Sequence, residues 1–331
     1  MDDLICSLAL KKIPGFSDSE VSTLLKNFKN PCDIFGISRS GLLKSGIKNR
    51  LIEILLNDRI KKRAFFDAIT EIEEASKNGV KIITADSPLY PSSLSFIRSK
   101  PLILYYKGVL KENFKFAVAI AGQRTPPPYS VELAENLTEK FCSAGFSIVS
   151  GLASGIDTAA HRSALKNKGY TIAFIGEGLL APIYPPENID LFQEIILNNG
   201  AVISEFPLHM NVSAKNLVLR DRLQTGSSLG VLAMSSGLRG GTMKTCNFAL
   251  KQKRPVFIPA YKDELMDKAE NAGLKSLLYE KGVYRIDLKK DLSFSIPEII
   301  DVLRIVYNEL YEDEDKDNKG DSLLSQPELF G

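Results

Sequence analysis

The chain has 331 residues, of which 44% are hydrophobic and 25% are charged, so it can bury a sizeable core and wholesale disorder is not expected. Its formal net charge is +2, but residues 307–331 alone contain eight acidic and two basic side chains. The preceding 306 residues therefore carry a charge of +8, which suits a polyanionic partner without establishing one. There is no apolar run of about 18 residues, so we expect no transmembrane helix.

The N-terminus starts acidic and lacks the basic region and cleavage site of a secretory signal. The cysteines are far apart and have neither CxxC nor CxxH spacing; they are Cys6, Cys32, Cys142 and Cys246. This spacing argues against a zinc site. We therefore expect no metal and reduced thiols, as in a cytoplasmic protein.

Residues 1–75 are predicted to form short helices. Apolar residues recur at helical spacing from Leu24 to Leu55, and the pattern is broken by Pro31 and several glycines. A helix is expected after the Pro14–Gly15 turn, with Ser17 or Asp18 as its cap. The spacing indicates a helical module of the helix-hairpin-helix or SAM-like kind. A packing appendage and a module that contacts DNA both remain open.

Residues 76–305 alternate apolar runs with amphipathic stretches. The predicted strands are 102–106, 116–121, 147–149, 171–175, 201–204, 230–234 and 255–259. The predicted helices between them are 130–144, 157–166, 186–197 and 242–251. This order predicts an α/β fold with a mostly parallel, Rossmann-like sheet and helices on both faces. Ligands of such sheets bind at the carboxyl ends of the strands.

Two glycine turns follow predicted strands. Gly122 permits a tight turn, and Arg124 then presents a guanidinium that can grip phosphate, although a plain surface arginine is the alternative. The second turn is SGLASGIDTAAH, residues 150–161, in which Gly151 and Gly155 free the backbone before a helix. The N-terminus of that helix favours an anion, with Ser154 as a possible cap. A well-capped structural turn is the alternative.

Cations and a third glycine turn follow further along the chain. Lys215, Arg220 and Arg222 lie within eight residues, so that one arginine can face a ligand while the other pairs with Asp221 or another neighbour. A solvated charged face is the alternative. The turn in 236–245 opens a helix and can hold a second phosphate through Gly240, Gly241, Thr242 and Lys244. It lacks the spacing of a P-loop, so a nucleoside triphosphatase is not indicated.

Catalytic groups are few. The chain has two histidines and neither a metal-ligand cluster nor a GxSxG elbow. Glu177, Glu205 and Asp157 are available for acid–base chemistry, but no carboxylate pair stands out. We therefore expect a binding protein without turnover and without a cofactor.

Six strings, in this order, resemble the DNA-processing protein A family, also called Smf. They are GQR (122–124), SGLASGIDTAAH (150–161), TIAFIGEGLLAPIYPPEN (171–188), GAVISEFP (200–207), LVLRDRLQTGSS (217–228) and SGLRGGTMKTCNFALKQKRPVFIPA (236–260). The resemblance covers roughly residues 8–285 and is most specific over 150–188.

The resemblance implies an extended Rossmann-like core that binds single-stranded DNA and forms a homodimer. It also implies that the protein helps to load the recombinase RecA during uptake or repair of DNA. Together with the glycine turns, it predicts that DNA phosphates are bound by Gly122, Arg124, Ser150, Gly151, Ser154, Gly155, Asp157, Lys215, Arg220, Arg222, Gly240, Gly241, Thr242 and Lys244.

The chain departs from the family pattern at three points. Leu217-Val218 replaces phenylalanine–proline, so an aromatic platform worth about 1–3 kcal/mol per stacked base is missing there. Asp221 replaces an asparagine and adds negative charge beside the proposed site. The turn 239–242 is RGGT, which resembles the phosphate loop of the lysine-decarboxylase-like (LOG) proteins. A nucleotide-binding or nucleotide-processing protein is therefore the alternative function.

Residues 306–331 are predicted to form an acidic, disordered tail. Its end resembles the peptide by which bacterial proteins dock on the replicative sliding clamp, through Gln326, Leu329 and Phe330. An incidental tail is the alternative.

Overall fold

The computed structural model describes residues 2–28, 30–112 and 114–318. Helices fill the N-terminal segment for which the spacing predicts them. They are α1 (Asp3–Lys12), α2 (Asp18–Asn27), α3 (Asp33–Gly36), α4 (Arg39–Lys44), α5 (Asn49–Leu56) and α6 (Asp58–Lys77). Helix α2 begins with a capping box in which the Ser17 side chain accepts from the N–H of Glu20 and the Glu20 carboxylate accepts from the N–H of Ser17.

The expectation of four reduced cysteines is wrong for one pair. Cys6 in α1 and Cys32 before α3 form a disulfide, with Cα atoms 5.1 Å apart. Cys142 and Cys246 are free thiols. Sequence spacing could not indicate this pair, because the two cysteines meet only when α1 packs beside the chain that leads into α3.

The centre of the molecule is a nine-stranded sheet. Its strands are β1 (Lys81–Thr84), β2 (Ile103–Gly108), β3 (Ala117–Ala121), β4 (Ser147–Ser150), β5 (Thr171–Phe174), β6 (Ala201–Ser204), β7 (Gly230–Ala233), β8 (Val256–Pro259) and β9 (Val283–Ile286). The spatial order is β1-β2-β6-β5-β4-β3-β7-β8-β9. Strands β3 to β9 are parallel, whereas β2 runs antiparallel to both β6 and β1. The predicted mostly parallel α/β fold is confirmed, and β1 and β9 add to the predicted strands.

Helices connect the strands and cover the sheet. They are α7 (Pro128–Ser143), α8 (Ile156–Lys166), α9 (Ile189–Leu197), α10 (Ala214–Gly226), α11 (Gly241–Lys251), α12 (Asp263–Met266), α13 (Ala272–Leu277) and α14 (Leu292–Asn318). Because successive side chains of a strand point to opposite faces, the sheet contributes residues to two hydrophobic cores. Phe174 and Ile203 belong to one core, whereas Ala173 and Val202 belong to the other.

The second of these cores includes the N-terminal helices. Leu51 of α5 and Ala68 of α6 pack in the same cluster as Tyr105 of β2. The Tyr105 hydroxyl also donates to the buried Glu71 carboxylate of α6 at 2.7 Å. The N-terminal helices therefore pack directly on the sheet. Their SAM-like or helix-hairpin-helix character stays a prediction.

The prediction of a disordered tail is wrong for its first half, residues 306–318, because α14 extends to Asn318. Within α14, Tyr311 is fully buried and Tyr307 stacks on Phe116 with ring centroids 4.6 Å apart. The predicted clamp-binding residues Gln326, Leu329 and Phe330 lie outside the described residues. None of the helices over 2–28, 30–112 and 114–318 has the length and apolar character needed to span a membrane.

Candidate functional site

A pocket of about 620 Å³ opens where parallel strands end, and we call it the carboxyl-edge pocket. The loops after β3, β4 and β7 line it together with α10 and the start of α11. The chain order reverses at β3, which has β4 on one side and β7 on the other. Such a switch point opens a crevice for a ligand at the carboxyl ends of the strands. The pocket therefore lies where the fold favours binding.

A cation and an aromatic ring meet at the edge of this pocket. Arg124 is exposed, and its Nη1 donates to the Tyr184 hydroxyl at 2.9 Å. Its guanidinium carbon lies 5.4 Å from the centre of the Tyr184 ring. Both side chains line the pocket. The position predicted for Arg124 at the end of β3 is thus in the pocket.

Tyr184, which lies within residues 171–188, lines the pocket but is not among the predicted site residues. A buried carboxylate positions it, because Glu177 Oε1 accepts from the N–H of Tyr184 at 2.8 Å. Burial raises the pKa of Glu177, which fits a carboxyl held inside the protein rather than one facing solvent. Tyr184 thus places an aromatic ring in the same pocket that Leu217 lines.

The turn after β4 is filled by its own carboxylate. Asp157 is buried, and its Oδ2 accepts from the N–H of Gly151 at 3.1 Å and from that of Ala153 at 3.4 Å. Burial raises the pKa of Asp157, while Arg220 opposes this shift. These N–H groups already have a carboxyl oxygen as acceptor. Contact of Gly151 and Asp157 with a phosphate stays a prediction, and it would require a change in these hydrogen bonds.

Two serines of the same turn also have internal partners. Ser150 is fully buried and donates to the carbonyl of Ile120 at 2.7 Å. Ser154 donates to Glu187 Oε1 at 2.8 Å, whereas Gly155 is the N-cap of α8 and makes no side-chain cap. Ser150 is thus not placed to meet a ligand, and the prediction that Ser154 caps the helix is wrong.

The glycines of the turn are required by close approaches. A Cβ on Gly151 would lie 1.7 Å from Arg220 Nη1, so any side chain there would displace the guanidinium. Gly155 has φ of +77°, and a Cβ on it would lie 2.4 Å from the carbonyl oxygen of Gln123. Gly122 is equally restricted, because a Cβ there would meet Ile156 at 2.3 Å. These glycines hold the loops after β3 and β4 together beneath the pocket.

The two arginines of α10 have different partners. Arg220 is 4% exposed, donates from Nη1 to the carbonyl of Phe174 at 2.6 Å, and forms an ion pair with Asp221 at 3.2 Å. Arg222 binds both carboxylate oxygens of Glu205, each at 2.5 Å. Arg220 therefore forms part of the pocket floor. The charge of Arg222 is balanced by Glu205, and contact of Arg222 with a ligand stays a prediction.

Lys215, in the first turn of α10, is exposed and does not line the pocket.

The start of α11 is open to the pocket. Its N-cap is Gly240, so no side chain caps the first N–H groups of the helix. Gly241, Thr242 and Lys244 line the pocket, and Lys244 is exposed. An uncapped helix N-terminus beside a lysine is a site for an anion. The four residues predicted in this turn are thus brought together.

One carboxylate opposes these cations. Asp221 lines the pocket, and burial, with a contribution from Asp157, raises its pKa to about 6. Arg220 and Lys244 oppose this shift. The charge of the pocket therefore depends on pH near neutrality.

The groups considered for acid–base chemistry have structural partners. Glu177, Glu205 and Asp157 accept the hydrogen bonds given above. His161 is fully buried beside Thr171 at 2.8 Å, and burial lowers the pKa of its imidazole to about 3. No group of three or more potential metal ligands occurs in the described part of the chain. The arrangement is suited to binding an anion and a planar ring.

Comparison with known proteins gives consistent matches. Residues 81–293 match the family model of DNA recombination-mediator protein A. Protein Smf of Synechocystis is 34% identical over 216 residues, which are 64% of this chain and 53% of that protein. The DNA processing protein DprA of Bacillus subtilis is 30% identical over 259 residues, which are 75% of this chain and 84% of that protein. The chain thus spans about half the length of the first relative and most of the second.

A solved structure has the same fold. DNA processing protein A from Helicobacter pylori, whose structure describes its mode of binding single-stranded DNA, superposes with a TM-score of 0.57 at 26% sequence identity. The match covers 67% of this chain and 97% of that one.

Proposed function

Because this chain belongs to the DNA recombination-mediator protein A family, we propose that it binds single-stranded DNA in the carboxyl-edge pocket and acts in DNA processing and recombination. The H. pylori relative binds single-stranded DNA, and that ligand needs a phosphate site beside a surface for stacking bases. The nucleotide-binding alternative predicts a mononucleotide as the ligand instead.

The observation that carries the proposal is the grouping of three features around one pocket. The open N-terminus of α11 offers N–H groups to one phosphate, with Lys244 beside it. Arg124 offers a guanidinium to a neighbouring phosphate, and the half-buried Tyr184 ring offers a face to a base. Contacts to backbone and ring read little sequence, so binding is expected to tolerate any base order.

The proposed role is binding without turnover. The carboxylates of the site are held in structural hydrogen bonds, and Arg124, Lys244 and the α11 N–H groups position a strand rather than activate a nucleophile. The protein would work in the cytoplasm, where recombination takes place.

The proposal extends to protein partners, namely a second copy of the chain, a recombinase and the sliding clamp. The family resemblance supports this extension. We propose that the protein is a homodimer that passes the bound strand to the recombinase RecA. The peptide containing Gln326, Leu329 and Phe330 would dock on the sliding clamp. Deletion of residues 326–331 should then abolish capture of the clamp, and equal capture after the deletion would remove this part.

Arg124→Ala tests the pocket directly. Losing one guanidinium–phosphate contact should weaken binding of an unstructured oligonucleotide about tenfold. It should also lower the slope of log K against log salt by about 0.7, the value for one phosphate of a single strand. The measurement is a salt titration of fluorescence anisotropy with single-stranded, double-stranded and mononucleotide ligands.

Arg162→Ala is the matched control, because Arg162 is an exposed arginine on α8 that does not line the pocket. Its affinity and salt slope should equal those of the wild type. If Arg124→Ala behaves like this control, the pocket is not the DNA site. Saturable mononucleotide binding without oligonucleotide affinity would favour the nucleotide-binding alternative.

A further inference from the structure

A second cavity, of about 980 Å³, lies beside the loop that joins α11 to β8. Segments far apart in sequence line it: the chain before β2, the end of α11, the loop itself and α14. We call it the Arg254 cavity. It shares no lining residue with the carboxyl-edge pocket, and the function proposed above does not use it.

The lining of the Arg254 cavity is strongly basic. Arg98, Lys251 and Lys253 are exposed side chains on its wall, and Arg254 adds a fourth cation. Glu309 is the acidic residue of the lining. Arg222 also lines the cavity, but Glu205 neutralises it through the ion pair described above. The excess of positive charge facing the cavity is therefore about three.

Arg254 is the unusual member of this group. It is 3% exposed, and neither Nε nor Nη2 has a hydrogen-bond acceptor among the residues that the structure describes. Burial lowers the pKa of the guanidinium, while Tyr311 and Glu309 oppose this shift; Glu309 forms no ion pair with Arg254 in the described part of the chain. Buried charges in proteins are ordinarily paired, because an unpaired one is destabilising. Two nitrogens of this buried guanidinium therefore have room in their hydrogen bonding for an anion, as far as the described residues go.

We propose that the Arg254 cavity is a second anion site, which binds the phosphate groups of a nucleotide ligand through Arg254, Arg98 and Lys251. A guanidinium binds two phosphate oxygens at once, which satisfies the two unpaired nitrogens together. Phe96 and Phe248 also line the cavity, and Phe96 is 48% exposed. An aromatic ring beside a phosphate site suits a ligand that carries a base.

The nucleotide can come from a polymer or from solution. Lys244 of the carboxyl-edge pocket and Phe248 and Lys251 of the Arg254 cavity are spaced by four and three residues, so they lie along one face of α11. At 1.5 Å per residue, Lys244 and Lys251 are about 10 Å apart along the helix axis. A strand leaving the first pocket can therefore reach the second, and a free nucleotide is the other source of the same chemistry.

Inorganic tripolyphosphate is the probe that isolates the phosphate chemistry. Binding to the full chain, followed by isothermal titration calorimetry, should weaken about tenfold in Arg254→Met and severalfold in Lys251→Gln. Lys166→Gln, at an exposed lysine of α8 outside both pockets, should leave this affinity unchanged. These expected affinities for tripolyphosphate do not depend on whether the carboxyl-edge pocket binds DNA.

A second readout separates a ligand site from a structural role. Because Nε and Nη2 of the buried Arg254 have no acceptor in the described part of the chain, Arg254→Met should unfold at the same or a higher temperature than the wild type in the absence of ligand. Added tripolyphosphate should raise the unfolding temperature of the wild type and not that of the variant. If Arg254→Met does not fold, Lys251→Gln and Arg98→Gln carry the same test from exposed positions.

Two further binding experiments distinguish a nucleotide within a polymer from a free nucleotide. Weaker binding of long but not short oligonucleotides by Lys251→Gln would identify the polymer, and displacement of tripolyphosphate by a mononucleotide would identify the free ligand. The proposal is overturned if tripolyphosphate does not bind, or if it binds Arg254→Met, Lys251→Gln and the wild type equally well.

Discussion

Asp221 places a carboxylate inside the carboxyl-edge pocket, beside Arg220 and Lys244. A negative charge at this position repels phosphate, and the family pattern has a neutral asparagine there. Because the pKa of Asp221 is raised to about 6, the carboxyl is largely ionised at pH 8 and largely neutral at pH 5. We therefore expect the affinity of the pocket for phosphate to depend on pH between about 5 and 8.

We expect the affinity for single-stranded DNA to rise as the pH falls from 8 to 5, by about fivefold to tenfold, as the Asp221 charge is lost. Asp221→Asn should bind at pH 8 as the wild type binds at pH 5 and should lose most of the pH dependence. His161 does not titrate in this range, since its pKa is about 3. Anisotropy titrations at fixed salt measure both effects.

The same shift has a consequence for stability. The folded state binds the Asp221 proton more tightly than the unfolded chain does, so the unfolding free energy falls as pH rises from about 4 to about 6. Asp221→Asn should remove that fall. A variant with unchanged pH dependence of both binding and stability would show that Asp221 does not titrate as the structure implies.

At the scale of single residues, the sequence predicts the positions of cations in the pocket better than it predicts hydrogen-bond partners. Arg124 and Lys244 lie in the pocket because each follows the end of a buried strand, a position readable from local pattern. The partner of Asp157 is not readable from sequence, since its spacing from Gly151 does not reveal whether the carboxyl accepts from the turn or leaves the N–H groups free. Tyr184 was missed because a buried glutamate brings it to the pocket.

Among the elements, burial decided which strands the sequence revealed. Strands β3 to β8 are buried along their whole length, so each appears as a short apolar run. Strand β9 has two exposed residues of four, and β1 is also partly exposed at the opposite edge of the sheet. Edge strands carry mixed patterns that resemble loops. The order of the strands was not readable, because pairing depends on contacts between distant segments.

The disulfide between α1 and the chain before α3 yields a prediction for the N-terminal helices. Cross-linking residues 26 apart in sequence restricts the unfolded chain and should stabilise the folded one by about 3 kcal/mol. Cys32→Ser should therefore lower the thermal unfolding temperature in oxidising buffer. In reducing buffer, wild type and variant should unfold together.

Single-stranded DNA affinity of Cys32→Ser should stay at the wild-type value, because Cys6 and Cys32 do not line the carboxyl-edge pocket. Thiol titration of the unfolded chain gives an independent count: two reactive thiols if the disulfide is present and four if it is absent. Equal unfolding temperatures in both buffers would contradict the stabilising role.

For the whole molecule, α14 joins segments that are far apart in the chain. The Tyr311 hydroxyl lies 3.3 Å from Ser92 Oγ, 219 residues away in sequence. Its ring meets Phe96 edge to face with centroids 5.8 Å apart, and Lys115 lies over it at 4.5 Å. Acidic composition concealed this packing, since the apolar residues of α14 are interspersed with charges. The last helix is therefore part of the core of the molecule.

Tyr311→Ala tests this role against the disorder that composition predicts. Removing a fully buried aromatic ring should lower the free energy of unfolding by about 3–5 kcal/mol. Tyr279→Ala is the matched control, because Tyr279 is 98% exposed and its removal should change stability by less than about 0.5 kcal/mol. Denaturant unfolding of both variants, followed by circular dichroism, measures the difference. Equal stabilities would mean that Tyr311 is solvated and that α14 does not close the core; a large difference would make the C-terminal helix a condition for the fold that presents the pocket.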